Sequence, residues 1–267
     1  MLPALRSVIV AAALALSAGP AQAASPFDGL WVQQLDTEAG QAGFDKYLVA
    51  NGIYECDSCT PPRRYPADGR MRPVAGAHTP TSESVRIAGA RTMVTRIVEP
   101  QMVRVTTMTV APDGQSATYV SLDKWPGRAK LLRTEYLAKR VAPAPPGAHA
   151  VSGSWRGLRY VEVPVEYRSF DLSEANGHFS RSAFRYGHYT ARIGGPAVPL
   201  TGDGWNIFLV AASATDPRTR VETLLLNGKP VQETTYRLSA DGKSLVSSVR
   251  DAKDGSVFTT TSHRAGR

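Results

Sequence analysis

Cysteine is almost absent from this 267-residue chain, which holds only Cys56 and Cys59, two residues apart. One pair cannot supply the four ligands of a tetrahedral zinc site, and none of the five histidines stands at zinc-finger spacing from Cys59. Haem attachment would need a histidine directly after the second cysteine, where Thr60 stands. The nucleophile-elbow pattern G-x-S-x-G and the zinc-protease pattern H-E-x-x-H are missing too. Charge is present but not gathered. The formal net charge is +8, yet residues 24–145 hold 15 Lys/Arg against 12 Asp/Glu, and residues 146–267 hold 15 against 11. Arg63-Arg64, Arg70 with Arg72, and Arg181 with Arg185 are the densest basic spots. None makes the run that a nucleic-acid partner calls for, so the balance reads as a solvated basic surface, at most loosely attracted to an anionic envelope.

Long apolar runs are confined to the start. Arg6 precedes an apolar stretch from Val8 to Ala18, Gly19-Pro20 breaks it, and Ala21-Gln22-Ala23 is a small-x-small cleavage signal. This is the layout of a secretory signal peptide over 1–23, cut near Ala23. The run is too short to span about 30 Å of hydrocarbon, and no transmembrane segment is expected elsewhere. The expected location is periplasmic or secreted, where disulfides persist.

Helical periodicity is also lacking. The best stretch, EAGQAGFDKYLVA (38–50), carries two glycines and runs into Asn51-Gly52, so it reads as a loop followed by a strand from about Asp45. What fills the chain instead is hairpin chemistry. Asn-Gly stands at 51–52, 176–177 and 227–228, and Asp-Gly at six places including 113–114 and 241–242. These pairs tolerate the positive φ of tight turns. Between them lie β-type runs such as MVRVTTMTV (102–110), SATYVSL (116–122), RVETLLL (220–226) and VQETTYRLS (231–239). In the last, Thr234, Tyr236 and Leu238 share one face, the alternation of a half-buried antiparallel strand.

The meander is duplicated. Phe27-Asp28-Gly29-Leu30-Trp31 matches Val151-Ser152-Gly153-Ser154-Trp155, NGIYECDSC (51–59) matches NGHFSRSAF (176–184), and TTMTVAPDGQSATYVSLD (106–123) matches TTYRLSADGKSLVSSVRD (234–251). Pro143, Pro145 and Pro146 lie between the halves in a stiff, extended connector. The expected division is a leader at 1–23, a first β unit at 24–141, a Pro-rich linker at 142–150 and a second β unit at 151–267. The fold class is all-β: two tandem antiparallel β-meander units of about eight strands, each a small lipocalin-like barrel or curled sheet, which manages its edges by curling. Trp31 and Trp155 either plug one end of each barrel or ring a ligand pocket.

The blocks FDGLW (27–31), NGIYECDSCTPP (51–62), PADG (66–69), PPGAHAVSGSW (145–155) and SADGKS (239–244) resemble a group of uncharacterised secreted or periplasmic bacterial proteins. These have tandem lipocalin-like β domains and a Y-x-C-x-S-C-x-P-P motif. The resemblance implies fold and compartment and carries no catalytic residue, and the second half departs from it in NGHFSRSAFRYGHY.

Thioredoxin-like chemistry places Cys-x-x-Cys at a helix N-terminus, and Pro61-Pro62 deny a helix after Cys59. Cys56 and Cys59 are therefore expected as a structural disulfide. Its four-residue loop is worth roughly 2 kcal/mol, a local clip, and the aligned positions in the second repeat are Arg181 and Phe184. The densest aromatic and cationic patch is Phe179, Arg181, Phe184, Arg185, Tyr186, His188, Tyr189 and Arg192. It reads either as ordinary cross-strand packing or as a site for an anionic or carbohydrate-like ligand. Two weaker constellations are His178 with His188 across a hairpin, as a metal pair, and Asp171 with Glu174, as a carboxylate pair. The reading that follows is a non-enzymatic protein without cofactor, catalytic residue or metal site, binding a small-molecule or cell-envelope ligand. The alternatives are an interaction module of the envelope and a hydrolase without a recognisable motif.

Overall fold

The structure is a computed structural model that describes residues 24–35, 39–40, 44–59, 61–74, 81–202 and 207–266. The leader expected over 1–23 lies outside the described residues. Among the described residues the chain is all-β apart from one helical turn. Its strands are β1 (Gly29–Gln33), β2 (Ala39–Gly40), β3 (Phe44–Ala50), β4 (Ile53–Cys56), β5 (Arg63–Pro66), β6 (Arg72–Pro73), β7 (Ser82–Gly89), β8 (Thr92–Glu99), β9 (Met102–Val110), β10 (Ser116–Lys124) and β11 (Leu132–Ala142). After β12 (Gly153–Glu162) and the turn α1 (Val165–Arg168) come β13 (Ser169–Ala175), β14 (His178–Ala183), β15 (Gly187–Arg192), β16 (Val198–Pro199), β17 (Phe208–Asp216), β18 (Thr219–Leu226), β19 (Lys229–Leu238), β20 (Ser244–Asp251) and β21 (Val257–Arg264).

The turn chemistry explains the meander. Asn51, Asn176 and Asn227 all adopt φ near +52°, each followed by a glycine that also has positive φ. They join β3 to β4, β13 to β14 and β18 to β19 in the two-residue turns that match strand twist. Thr234, Tyr236 and Leu238 are buried together on β19, as their alternation requires.

Two antiparallel sheets result. One runs β5-β4-β3-β12-β11-β10-β9-β8-β7-β6, and the other β15-β14-β13-β1-β21-β20-β19-β18-β17-β16, with β2 added on β21. Ten and eleven strands exceed the expected eight or so because two-residue strands, β2, β6 and β16, are included. The first sheet is a half-barrel and the second a nearly closed barrel. Closure of the second rests on His188 and Thr201, which exchange backbone hydrogen bonds of 2.7 and 2.9 Å, and on Gly194 N–H donating to Ala212 at 2.8 Å. A side chain on Gly187 would lie 2.4 Å from the Thr201 carbonyl oxygen, so the seam needs glycine there.

The strands do not follow the division at 142–150. β1, from the first half of the sequence, pairs with β13 and β21 of the second sheet. β12, from the second half, pairs with β11 and β3 of the first. The two units thus hold each other's opening strand. Trp31 is buried in the core of the second unit and Trp155 in that of the first. Each indole N–H donates to a carbonyl four residues earlier, at 2.8 Å to Phe27 and 2.9 Å to Val151. An arginine from the last strand of the unit covers each ring, Arg264 at 4.6 Å and Arg140 at 4.1 Å. Gly153 (φ +121°) lies beneath Arg140, where a Cβ would come within 2.7 Å of that guanidinium. Both tryptophans are buried core residues, and neither lines the two cavities described below.

The interior of the first unit is occupied by Tyr47, Tyr54, Tyr65, Tyr119 and Tyr136, with Tyr119 and Tyr136 stacked at 4.5 Å, and by a buried Arg63–Glu83 pair at 2.8 Å. Between the units, Trp125, directly after β10, donates to the Tyr167 hydroxyl at 2.7 Å, and that hydroxyl donates to Asp123 at 2.6 Å. Asp123 is held bidentately by Arg104, and the Phe184 ring packs 4.7 Å from Trp125.

Candidate functional site

Period-2 alternation along β14 sends Phe179 and Arg181 into the second barrel. Arg181 stands opposite Tyr189 of β15. Three neighbouring strands complete a polar floor with Glu222 (β18), Tyr236 (β19) and Ser247 (β20). Glu222 is 2 % exposed. Its Oε2 accepts the hydroxyls of Tyr189 at 2.9 Å and Tyr236 at 3.1 Å, and Arg181 Nε lies 3.1 Å from the same oxygen. Burial is the largest single influence and works to lower the Arg181 pKa, but the Glu222 charge and the neighbouring Tyr236, Tyr189 and Tyr186 together outweigh it, and the guanidinium is held firmly protonated. Burial raises the pKa of both tyrosines, and the Glu222 carboxylate adds to the rise. They remain hydroxyl donors across the physiological range.

Above this floor the second unit keeps a cavity of about 340 Å³, at the lower end of ligand pockets. Phe170, Leu200, Leu224, Val249 and Phe258 supply apolar wall. Thr134 of β11 and Tyr160 of β12 also line it, so the first unit contributes to the enclosure. Three buried polar atoms on lining residues lack a hydrogen-bond partner: Arg168 Nε, Arg181 Nε and Ser247 Oγ. The 3.1 Å approach of Arg181 Nε to Glu222 is therefore an ion pair without hydrogen-bond geometry.

The patch expected at 179–192 divides by register. Arg181, Arg185 and Tyr186 line this cavity. Phe179 and Tyr189 are buried in its core. Phe184 and His188 line a second cleft of about 300 Å³ at the junction of the units, beside Trp125 and Gln101. Arg192 is exposed at the far end of the β14–β15 ladder, opposite His178.

His178 and His188 do not meet as a metal pair. They pair with Arg192 and Ser182, four rungs apart, or about 13 Å at strand rise. No group of three or more His, Cys, Asp or Glu side chains able to hold a metal occurs among the described residues. Asp171 and Glu174 point to opposite faces of β13, and Glu174 is taken by Arg220 in two hydrogen bonds of 2.7 and 2.9 Å. Of Val198–Leu200, Leu200 is buried in the core, Val198 packs against it, and Pro199 is exposed.

Cys56 and Cys59 form a disulfide, with Cys56 wholly buried in the first core and Cys59 packed against it. The bond closes the end of β4 where the chain turns toward β5, at the rung Cys56–Arg63. This is the rung at which β14 carries Arg181.

Glu222, Arg168 and Ser247 are not among the candidate site residues read from the sequence, and Tyr236 is read there only as part of a strand's buried face. Glu222 left a signal: within RVETLLL it shares the inward face with Leu224, where a carboxylate demands a partner. Arg168 left none, because a one-turn helix sets its direction. Comparison of the chain with protein-family models, curated proteins and solved structures finds no match in any of the three.

Proposed function

We propose that this protein is exported by a cleaved leader and acts outside the cytoplasm as a non-enzymatic, lipocalin-like binding protein for a small or envelope-derived molecule held in the second barrel. The observation that carries this reading is the contrast between the units. The first is occupied by tyrosines and an ion pair, while the second keeps a cavity of about 340 Å³ whose apolar wall ends in a charged floor. A few convergent polar groups in an otherwise apolar pocket are what orient a small ligand. The disulfide suits an oxidising compartment. Among the described residues no helix is long and apolar enough to cross a membrane, and nucleic acid is not the proposed partner.

The test is titration with a neutral fluorescent probe, N-phenyl-1-naphthylamine. Thr234 is buried and lines the cavity, so T234W fills it. The native protein should enhance the probe's emission and T234W should not, with far-UV circular dichroism unchanged. Equal binding by both would refute the reading. A second reading, an interaction module of the envelope, is favoured by Leu158, Tyr160 and Val161 on β12, which are all exposed.

A further inference from the structure

Charge and hydrogen bonding in the cavity do not balance. Arg181 is set against Glu222, and Arg185 interacts electrostatically with Glu99. Arg168 donates through Nη1 to the Gln33 carbonyl at 2.8 Å, and no ion pair joins it to a carboxylate among the described residues. Its Nε is buried without a partner. Ser247 is 3 % exposed, and its hydroxyl is likewise unmatched. Buried donors in folded proteins are almost always satisfied, by protein, water or ligand. A partly buried charge without a counter-charge is costly enough that one is to be sought. In this cavity the missing chemistry is of one kind: an acceptor carrying a single negative charge.

Resting on the lumen reading above, we infer that the ligand is a small amphipathic monoanion, a monocarboxylate, whose charge is balanced by Arg168 and Arg181 beside the Ser247 hydroxyl, with its hydrocarbon part against Phe170, Leu200, Leu224 and Phe258. A single charge is specified because one guanidinium has no carboxylate partner among the described residues. A dianionic phosphate monoester would leave a surplus negative charge beside Glu222. A cationic amphiphile would meet Arg168 and Arg185 as like charges. A neutral alcohol would fill the wall but leave Arg168 without a counter-charge.

The experiment compares octanoate with octan-1-ol, which share a chain length and differ in charge, by isothermal titration calorimetry on the native protein at pH 7.5. Octanoate should bind about tenfold or more tightly than the alcohol, the factor expected of a charge-assisted hydrogen bond. R168Q should weaken octanoate by a similar factor and leave octan-1-ol within about twofold. Equal affinity of the two probes for the native protein overturns the monoanion while leaving the lumen reading standing. Binding of neither probe overturns both. A preference for octanoate that R168Q does not reduce overturns the assignment to Arg168. The native comparison needs no variant, so it decides the ligand's charge even if R168Q does not fold.

Discussion

Trp155→Ala separates the exchanged arrangement from one in which each sequence half folds on itself. Trp155 lies in the second half of the sequence but is buried in the first core, with its N–H bonded to Val151 at 2.9 Å and Arg140 at 4.1 Å over its ring. Truncating a buried tryptophan costs about 3–5 kcal/mol, a large share of a typical domain's 5–15 kcal/mol. Arg140 would lose its cation–π contact, about 0.5–2 kcal/mol more. The cost falls on the sheet that holds residue 155. Amide exchange followed by mass spectrometry should show protection in 44–142 falling by about three-hundred- to a hundred-thousandfold, at 1.4 kcal/mol per factor of ten. Peptides from 169–264 should keep theirs. Trp31→Ala is the mirror experiment, deprotecting 169–264 and sparing 44–142. If W155A deprotects 169–264 instead, the exchange of β1 and β12 is wrong. The same topology makes 44–162 the contiguous piece that contains every strand of the first sheet, while a cut at residue 150 removes β12 from it.

Three further outcomes are expected. Replacing both Cys56 and Cys59 by Ser should lower denaturant stability by roughly 2 kcal/mol with the fold kept; global unfolding would show that the bond is more than a clip. Glu222→Leu strands Arg181 beside two buried tyrosines and should cost about 3–5 kcal/mol, whereas pairing it with Arg181→Met should recover most of that loss, both read by urea midpoints. Asp241 accepts hydrogen bonds from the Ser239 hydroxyl and the Lys243 N–H, and these hold its carboxyl below the usual range. A depressed folded pKa contributes stability that is present above the unfolded value of about 3.9 and is lost as pH falls through the folded one. The fall in melting temperature below about pH 4 should therefore be shallower in D241N than in the native protein, and identical acid limbs would remove Asp241 from the account.

The strands were legible because their signals are local. Asn51-Gly52 and Asn176-Gly177 state a turn wherever they occur, and Thr234, Tyr236 and Leu238 state a face. The exchange was not legible, for a reason that lies in the duplication itself. Gly29-x-Trp31 and Gly153-x-Trp155 make the same clamp, with the same indole bond and the same covering arginine from the last strand. Either opening strand suits either barrel, so motif and spacing cannot say which sheet receives it. The patch at 179–192 was visible as composition, but its division between cavity, core and surface depends on register against β15 and on closure at Gly187. Glu222 could have been found from its place on an inward apolar face. Arg168 could not, because its direction comes from the crossing between units.

The disulfide and the cavity are two uses of one position. At the rung where β4 ends, the first unit places Cys56, wholly buried and bonded to Cys59, amid Tyr47, Tyr54 and Tyr65. At the matching rung of β14 the second unit places Arg181. A sulfur bridge needs neither water nor counter-ion, so the lumen around it can be filled with rings. An inward guanidinium needs both acceptors and room. Glu222, with the hydroxyls of Tyr189 and Tyr236 bonded to it, supplies the first on one side, and the cavity supplies the second on the other. The polar floor also keeps a space of this size hydrated or occupied, where a wholly apolar one stays dry. Exchanging the two chemistries follows from this argument. Arg181→Cys could not form the clip, because Phe184, not a cysteine, stands at the matching position and packs against Trp125. Cys56→Arg would bring a second guanidinium beside Arg63, which Glu83 already balances. On the proposed reading the clip therefore belongs to the copy that serves as structure, and the arginine to the copy that binds.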